Sequence, residues 1–292
     1  MRHAKVLMMV GGLLLATGQM AQGQTLFDEN FNYTPAGGSF PGTIDPSWTI
    51  IGGSPHMSNP NDQAHEFFGE VGSGLIANFH GTTGSAKKDL VGGTYNLSNL
   101  TGTQVVRASW DSINSSGSRS TGVTMRLVDS NGSIMVTGQT VLNGGIGRQL
   151  GLIVTTNTGA TDYIDLNSDV APNTRTGPNC SSTATTGCNA YYIQSYMEVT
   201  GSTVRAASRL RLLNPPQGNV TDRGLTISTN LLSHSLTNIR EVQFSVSTGL
   251  GEFHDNADNY KVQITGSLIP EPATLSLLGL GSLLLMRRRR HA

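Results

Sequence analysis

Apolar and polar residues alternate with a period of two through most of the chain between residues 24 and 268. In QVVRASWDSI (104–113), for example, Val106, Ala108 and Trp110 are each separated by one polar or charged residue. This alternation is typical of β-strands with one buried face, because successive side chains of a strand point to opposite sides. Since the same region lacks the 3.6-residue period of an amphipathic helix, the pattern predicts an all-β body.

About a dozen segments follow the period of two, and turn residues separate them. The segment 123–138 turns at Asn131-Gly132, which is the strongest hairpin signal in the chain. The segment 191–213 turns at residues 200–202. Many short strands at this spacing predict a two-sheet antiparallel β-sandwich of the jelly-roll type. The predicted strands are 25–33, 47–52, 65–72, 75–81, 104–113, 224–229, 238–249 and 259–268, with two more in each of the two hairpin segments.

The first 23 residues have the layout of a secretory signal peptide. Arg2 and Lys5 give a basic start, residues 6–16 form an apolar run, and small residues precede a cut after Gly23. This layout predicts an N-terminal signal helix, residues 1–23, that is removed from the mature protein. The body, residues 24–268, is therefore predicted to leave the cytoplasm as one β-sandwich domain.

The last segment, residues 269–292, contains a second apolar run. Residues 273–286 carry no charge over 14 positions and would span roughly 21 Å as a helix, against about 30 Å of bilayer hydrocarbon. Arginine side chains resist crossing a membrane and stay on its cytoplasmic side. The run therefore predicts a transmembrane helix that transiently anchors the body to the inner membrane. The residues that stop its transfer are Arg287, Arg288, Arg289 and Arg290.

The end of the chain resembles a known sorting signal. Pro270, Glu271 and Pro272, an apolar Leu/Gly-rich segment and a terminal arginine cluster follow one another in the order of the PEP-CTERM signal of Gram-negative bacteria. The resemblance implies that an exosortase, a membrane protease or transpeptidase, recognises this motif and processes the chain near it. It also implies a host that makes exopolysaccharide and a biofilm matrix, with the processed body at the cell surface or in that matrix.

The charge of the exported part differs from that of the whole chain. The chain is formally neutral, but residues 24–272 hold 13 basic and 19 acidic residues, a net charge of −6. A negative body of this kind is not expected to bind nucleic acid. Only 13% of residues are charged and 36 are glycines, which is typical of a secreted β protein with many turns.

Cys180 and Cys188 are the two cysteines of the chain, and they flank a short polar segment. Outside the cytoplasm this arrangement predicts a disulfide, which would stabilise the fold by roughly 2 to 3 kcal/mol if it acts by restricting the unfolded chain. A metal or redox pair is the alternative interpretation. It is disfavoured because the spacing is not Cys-x-x-Cys and no histidine lies nearby in the sequence.

The two ends of the body, TLFDENFNYTPAG and FSVSTG with DNADNYKVQI, resemble the first and last strands of concanavalin-like and laminin-G-like jelly rolls. The resemblance implies that the terminal strands pair and that the body handles carbohydrate. Retaining β-glucanases of this fold carry Glu-x-Asp-x-x-Glu on one strand, because their mechanism needs two carboxylates about 5 Å apart. This motif is absent. The isolated strand residue Glu198 is expected to face solvent and to have no catalytic role.

The acidic segment EFHDNADNY (252–260) has two interpretations. It fits a turn capped by its own Asn and Asp side chains, and it also fits a structural calcium site, because Ca²⁺ prefers oxygen ligands. If the terminal strands pair, Asp28 or Glu29 approaches Asp255 or Asp258. The predicted calcium ligands are Glu29, Asp255 and Asp258. No other cofactor is predicted.

The sequence thus predicts an exported, exosortase-processed protein of the cell envelope or extracellular matrix. Its body is predicted to be a non-catalytic structural or glycan-binding sandwich, with exosortase, the membrane and exopolysaccharide or other envelope glycans as partners. A polysaccharide-degrading enzyme on the same fold is the alternative. Sugar binding would use exposed aromatic residues, and at least half of the available ones are expected in the core. They are Trp48, Trp110, Tyr191, Tyr192 and Tyr196.

Overall fold

The computed structural model describes residues 23–29, 42–43, 46–53, 56–58, 76–78, 84–114, 121–142, 150–166, 191–214, 219–248 and 255–268. The predicted signal helix, the predicted transmembrane helix and the cysteine pair Cys180 and Cys188 lie outside these residues and remain predictions. Within the described ranges, no helix is long and apolar enough to cross a membrane.

The described residues are almost entirely β-strand, with one short 3₁₀ helix at Leu97–Asn99. The strands, in chain order, are β1 Gln24–Glu29, β2 Gly42–Thr43, β3 Thr49–Gly52, β4 His56–Ser58, β5 Ile76–Asn78, β6 Gly84–Asp89, β7 Tyr95–Asn96, β8 Gln104–Asn114, β9 Thr121–Val128, β10 Ile134–Leu142, β11 Leu150–Thr156, β12 Thr161–Asp165, β13 Tyr191–Val199, β14 Thr203–Asn214, β15 Asn219–Ile227, β16 Leu232–Ser233, β17 Asn238–Ile239, β18 Glu241–Thr248 and β19 Asp255–Gly266.

These strands form two large sheets. The ten-stranded sheet has the order β15-β14-β13-β8-β19-β5-β4-β2, with β1 paired to β19 and β16 paired to β14. The seven-stranded sheet has the order β12-β11-β10-β9-β18-β6-β3, and the short β7 and β17 form a separate pair. Every described strand pair is antiparallel. The predicted two-sheet antiparallel sandwich is confirmed, and so is the pairing of the terminal strands.

Both predicted hairpins are present, and local hydrogen bonds explain the first of them. Gly132 has a φ of 81°, which a glycine adopts without the steric cost that a Cβ brings. The Oδ1 atom of Asp129 accepts hydrogen bonds from the backbone N–H groups of Asn131 at 2.9 Å and Ser133 at 2.8 Å. This short loop joins β9 to β10 and thereby fixes their register.

The structure differs from the predicted strands in several places. Strand β19 begins at Asp255, four residues earlier than predicted, so the interpretation of residues 255–258 as an acidic turn is wrong. These residues extend the strand because their backbones pair with β5 and β8. Among the strands longer than three residues, β6, β11 and β12 are absent from the predicted set. Most residues of β11 are buried on both faces, so this strand has no alternation that could predict it.

The hydrophobic core fills the space between the two sheets and centres on Trp110 of β8. The indole Nε1–H of Trp110 donates a hydrogen bond to Thr140 Oγ1 on the opposite sheet at 2.9 Å. Thr140 Oγ1 also lies 2.9 Å from Ser195 Oγ on β13. The side chains of Trp110, Thr140 and Ser195 thus satisfy one another across the two sheets, as buried polar groups require.

A glycine on β10 makes room for the central tryptophan. A methyl group added at Gly138 would lie 2.7 Å from Met197 Sδ and still closer to the Trp110 ring. Contacts at these distances force a packed core to shift, since protein interiors have little free volume.

We therefore expect Gly138→Ala to lower the free energy of unfolding by about 1 to 3 kcal/mol. Gly201→Ala is the matched control, because Gly201 is exposed and an added methyl group meets nothing within 4 Å. Urea unfolding followed by tryptophan fluorescence measures both variants. Equal effects of the two substitutions would contradict the assigned role of Gly138.

Candidate functional site

The outer face of the ten-stranded sheet, which points away from the core, collects polar and charged side chains. On β8, β13, β14 and β19, core residues alternate with residues that point outward. We call this outward set the polar face. It consists of Arg107, Ser109, Asp111, Tyr192, Gln194, Tyr196, Glu198, Arg205, Arg209, Arg211, Asp258, Lys261 and Gln263.

Tyr196 lies in the middle of the polar face and is half-buried. The strand register places it opposite Ser109 on β8 and Ala207 on β14. Burial raises the pKa of Tyr196, and the negative charge of Asp111 raises it further, whereas three nearby arginines act in the opposite direction. The ring of Tyr196 is therefore a partly apolar surface that charged and hydrogen-bonding groups surround.

Asp111 is a buried carboxylate that neighbouring side chains hold in place. Its Oδ2 atom accepts hydrogen bonds from the hydroxyl of Tyr192 at 2.6 Å and from Asn259 Nδ2 at 2.7 Å. The guanidinium of Arg211 lies over the Tyr192 ring, 5.5 Å from its centroid. Gln194 Nε2 donates to the same tyrosine hydroxyl at 3.3 Å. These contacts make a connected polar network at one end of the face.

Asp258 lies directly opposite Asp111 in the pairing of β19 with β8. Its Oδ1 atom accepts a hydrogen bond from the backbone N–H of Asn259 at 2.7 Å, whereas its buried Oδ2 atom has no hydrogen-bond partner. Burial raises the pKa of Asp258 well above its ordinary value, and the nearby charges of Asp111 and Glu29 raise it further. The two facing aspartates therefore differ in environment. Hydrogen bonds from Tyr192 and Asn259 hold Asp111, whereas burial favours the protonated form of Asp258.

A β-bulge brings Asp258 to this face. Asn259 has a φ of 52°, and the register of β19 against β8 shifts between Asp258 and Lys261. The extra residue lets both Ala257 and Tyr260 point into the core although they are three positions apart. Without the bulge, strict alternation would place Asp258 and Tyr260 on the same side of the sheet.

Glu198 does not face solvent as predicted, because its side chain is 3% exposed and fully engaged. Its Oε1 atom accepts hydrogen bonds from Arg107 Nε at 3.1 Å, from Arg107 Nη2 at 2.9 Å and from the backbone N–H of Leu268 at 2.7 Å. Its Oε2 atom accepts one from Ser267 Oγ at 2.5 Å. Arg107 also donates to the carbonyl oxygen of Gly266 at 2.6 Å. The pair thus holds the last three residues of the body.

Of the three predicted calcium ligands, the side chains of Glu29 and Asp258 belong to the described part of the structure, and that of Asp255 lies outside it. Pairing of β1 with β19 places Glu29 opposite Tyr260, near Asp258 as expected. However, Glu29 Oε2 already accepts hydrogen bonds from Trp48 Nε1 at 2.9 Å and Lys88 Nζ at 3.1 Å. Within the part of the chain that the structure describes, no group of three or more His, Cys, Asp or Glu residues is placed to hold a metal ion. A calcium site at Glu29, Asp255 and Asp258 remains a prediction.

The predicted aromatic residues divide between the core and the polar face. Trp48 and Trp110 are core residues, Tyr192 is buried within the polar network, and Tyr196 is partly exposed. The side chain of Tyr191 lies outside the described part of the structure. The arginines of β14 were not among the predicted site residues. Their signal is present in the sequence, because Arg205, Arg209 and Arg211 are separated by even numbers of positions on one strand and must therefore share a face.

The sequence beyond the body matches a known family model. Residues 268–290 match the PEP-CTERM protein-sorting motif. The chain carries a PEP-CTERM sorting motif. The predicted sorting signal is thereby confirmed, and its first residue is Leu268, whose backbone Glu198 binds. The motif itself, with Pro270, Glu271, Pro272 and Arg287 to Arg290, lies outside the described residues.

Comparison of the fold finds β-sandwich domains of low sequence identity. The CBM2 module of the evolved Dit protein of Lactobacillus casei BL23 phage J-1 aligns with a TM-score of 0.41 and 11% identity, over 85% of this chain and 98% of that chain. Lectin II from Ulex europaeus gives 0.39 and 7%, over 84% and 100%. A Bacillus licheniformis β-glucanase gives 0.36 and 7%, over 84% and 99%. No curated protein matches the chain in sequence.

The buried Asp258 predicts a specific pH dependence of stability. Because its pKa is higher in the folded protein than in the unfolded chain, the folded state binds the proton more tightly, and stability falls as pH rises from about 4 towards the folded pKa. We expect Asp258→Asn to remove this loss, so that in the absence of calcium the variant is at least as stable as the wild type at pH 7. Thermal unfolding between pH 4 and pH 8 provides the measurement.

Asp28→Asn is the control for this experiment, because Asp28 is exposed on the neighbouring strand β1 and pairs with Lys261 at 3.0 Å. A lower stability of Asp258→Asn at pH 7 without calcium would contradict the assigned cost of the buried carboxylate. The same variants test the predicted calcium site. If calcium binds at Asp258, calcium should raise the Tm of the wild type and leave the Tm of Asp258→Asn unchanged.

Proposed function

We propose that this protein is exported, processed by an exosortase and retained at the cell surface or in the extracellular matrix, where its β-sandwich binds polysaccharide without cleaving it. The sorting half of the proposal rests on the motif at residues 268–290 together with the signal-peptide layout of residues 1–23. The leader directs export, the apolar run halts it, and the four arginines keep the end of the chain in the cytoplasm.

The contacts of Glu198 limit how far the sorting motif extends from the body. Because Glu198 holds Ser267 and Leu268, a single residue separates the attached part of the body from Pro270. The two prolines of the motif disfavour helix and keep the segment extended. An extended segment between a compact body and the membrane suits binding in a protease cleft.

We expect Glu271→Ala to block processing, because it removes the one acidic side chain of residues 269–292. The unprocessed chain should then accumulate in the membrane fraction with a lower electrophoretic mobility than the processed protein. Immunoblots of fractionated host cells measure this. Asp28→Ala, an acidic-to-alanine change on the body, is the control and should be processed normally; equal processing of both variants would argue against exosortase recognition of Glu271.

The glycan-binding half of the proposal rests on the position of Tyr196 in the polar face. The apolar face of a sugar ring packs on an aromatic ring, and the hydroxyl groups around it need planar or charged hydrogen-bonding partners. Ser109 lies directly opposite the tyrosine, and Gln194 and Arg209 lie in the next row of the sheet. These side chains supply both donors and acceptors.

Two of the three carboxylates of the polar face are already bound by other residues of the protein, and this favours binding of a glycan over its cleavage. Glu198 is held by Arg107 and by the end of the body, and Asp111 is held by Tyr192 and Asn259. A carboxylate whose oxygens are occupied by donors of the protein itself is not free to contact a substrate.

We expect Tyr196→Ala to weaken binding to the host's exopolysaccharide about tenfold, because the stacking surface is lost. Size-exclusion chromatography of the full chain in detergent, mixed with the intact polymer, measures the bound fraction. Tyr163→Ala is the matched control, since Tyr163 is a partly exposed tyrosine of β12 on the other sheet. Equal binding by Tyr196→Ala and the wild type would exclude the polar face as the polymer site.

A polysaccharide-degrading enzyme is the second candidate function, and one observation favours it. Asp111 and Asp258 lie directly opposite each other on neighbouring strands, and a pair of carboxyl groups in different environments is the arrangement that glycoside hydrolysis uses. In the chromatography experiment, shortening of the polymer that is abolished by Asp258→Asn would establish this function in place of simple binding.

A further inference from the structure

A cavity of about 550 Å³ lies at the end of the polar face, beside the contact between Glu198 and the end of the body. Its volume is within the range of small-ligand sites, roughly 300 to 1,000 Å³. Residues at one end of β8, β13, β14 and β19 line it, including Leu100, Thr103, Thr200, Arg205 and Ser267.

Arg205 is the unusual residue of this cavity. Its Nε atom is buried and has no hydrogen-bond partner, and among the described residues the side chain takes part in no ion pair. The side chain as a whole is only partly buried, and all five N–H groups of a guanidinium are donors. The protein pairs the buried Nε–H with no acceptor, and the rest of the guanidinium lines the cavity, where a ligand from outside the fold can bind it.

The neighbouring acid cannot serve as that partner. Glu198 lies opposite Arg205 in the pairing of β13 with β14, but both of its carboxylate oxygens are already occupied by Arg107, Ser267 and Leu268. Arg107 balances the charge of Glu198. Among the described residues that line the cavity, Arg205 thus carries the one uncompensated charge, and this charge is positive.

The rest of the lining is rich in hydroxyl groups and also apolar. Thr103 and Thr203 offer hydroxyl groups, whereas the hydroxyl of Thr200 already bonds Thr203 within the turn. Leu100 and Leu231 add apolar surface. A ligand that matches all three features carries a carboxylate for Arg205, hydroxyl groups for the threonines and a ring with an apolar face for the leucines. A uronic acid has these features together.

We infer that this cavity binds the carboxylate of a uronic acid residue of a polysaccharide, with Arg205 as the residue that recognises the negative charge. The inference rests on the proposed glycan-binding function and specifies its substrate class. It locates a subsite that selects acidic sugars at the end of the polar face. On β13, the cavity residue Glu198 lies two residues beyond Tyr196 and six beyond Tyr192.

The test uses the full chain, purified in detergent, with sodium glucuronate, its methyl ester and glucose as probes. We expect glucuronate to raise the Tm, and the uncharged ester and glucose to leave it unchanged. Arg205→Gln should weaken glucuronate binding about ten- to a hundredfold in calorimetric titration, the range for loss of a hydrogen bond to a charged group. Arg240→Gln is the control, since Arg240 is exposed and pairs with Asp89 at 3.6 Å.

The stability of the variant separates a binding role from a structural one. Because Arg205 is unpaired, Arg205→Gln without ligand should leave the Tm unchanged or raise it, whereas a structural arginine would lower it when replaced. Equal binding of glucuronate by Arg205→Gln and the wild type, or no binding by either, would overturn the inference.

Two further outcomes separate this inference from its alternatives. Exopolysaccharide binding that Tyr196→Ala abolishes and Arg205→Gln leaves intact would overturn the uronate subsite and keep the proposed function. The chain also contains its own candidate carboxylate, Glu271, four residues beyond Ser267. Glucuronate binding seen with Glu271→Gln and absent from the wild type would assign the cavity to the sorting motif and overturn the assignment to a sugar.

Discussion

The packing of Trp110 against Gly138 is the constraint on which the rest of the sandwich depends. The ring crosses the space between the sheets, and its indole N–H bonds Thr140 on the far side. This contact fixes which side of β8 is buried. Because side chains alternate along a strand, a fixed Trp110 forces Ser109 and Asp111 to the opposite side. The polar face is thus a consequence of how the core is packed.

The polar face combines two kinds of charged group. Glu198, Arg107 and Asp111 are bound by other residues of the protein and act as fixed parts of the scaffold. Asp258 and Arg205 each keep a buried polar atom without a partner. Unpaired buried groups lower stability, so a fold retains them where they serve another purpose. These two residues therefore mark the opposite ends of the face where the protein's own contacts are incomplete.

The body and the sorting motif meet at the carboxylate of Glu198. It joins strand β13 to the backbone of Leu268, and the motif begins at that same residue. The cavity beside Arg205 and the last described residue, Leu268, therefore lie at one end of one sheet, and Tyr196 lies further along the same face. In the proposed function, a body attached in this way would present its binding face at a fixed distance from the membrane until the tail is cleaved.

The sequence by itself determined the all-β class, the hairpins at Asn131-Gly132 and at residues 200–202, and the sorting motif, because alternation, turn residues and the order of motif elements are local properties. The tertiary structure decided where Asp258 and Glu198 point. Alternation alone places Asp258 on the side of Tyr260, and the bulge at Asn259 reverses this. Glu198 appeared to be an isolated surface acid, and its burial depends on Arg107 and Leu268, which lie 91 and 70 residues away in sequence. Contacts over such distances arise from the pairing of strands, which no local pattern specifies.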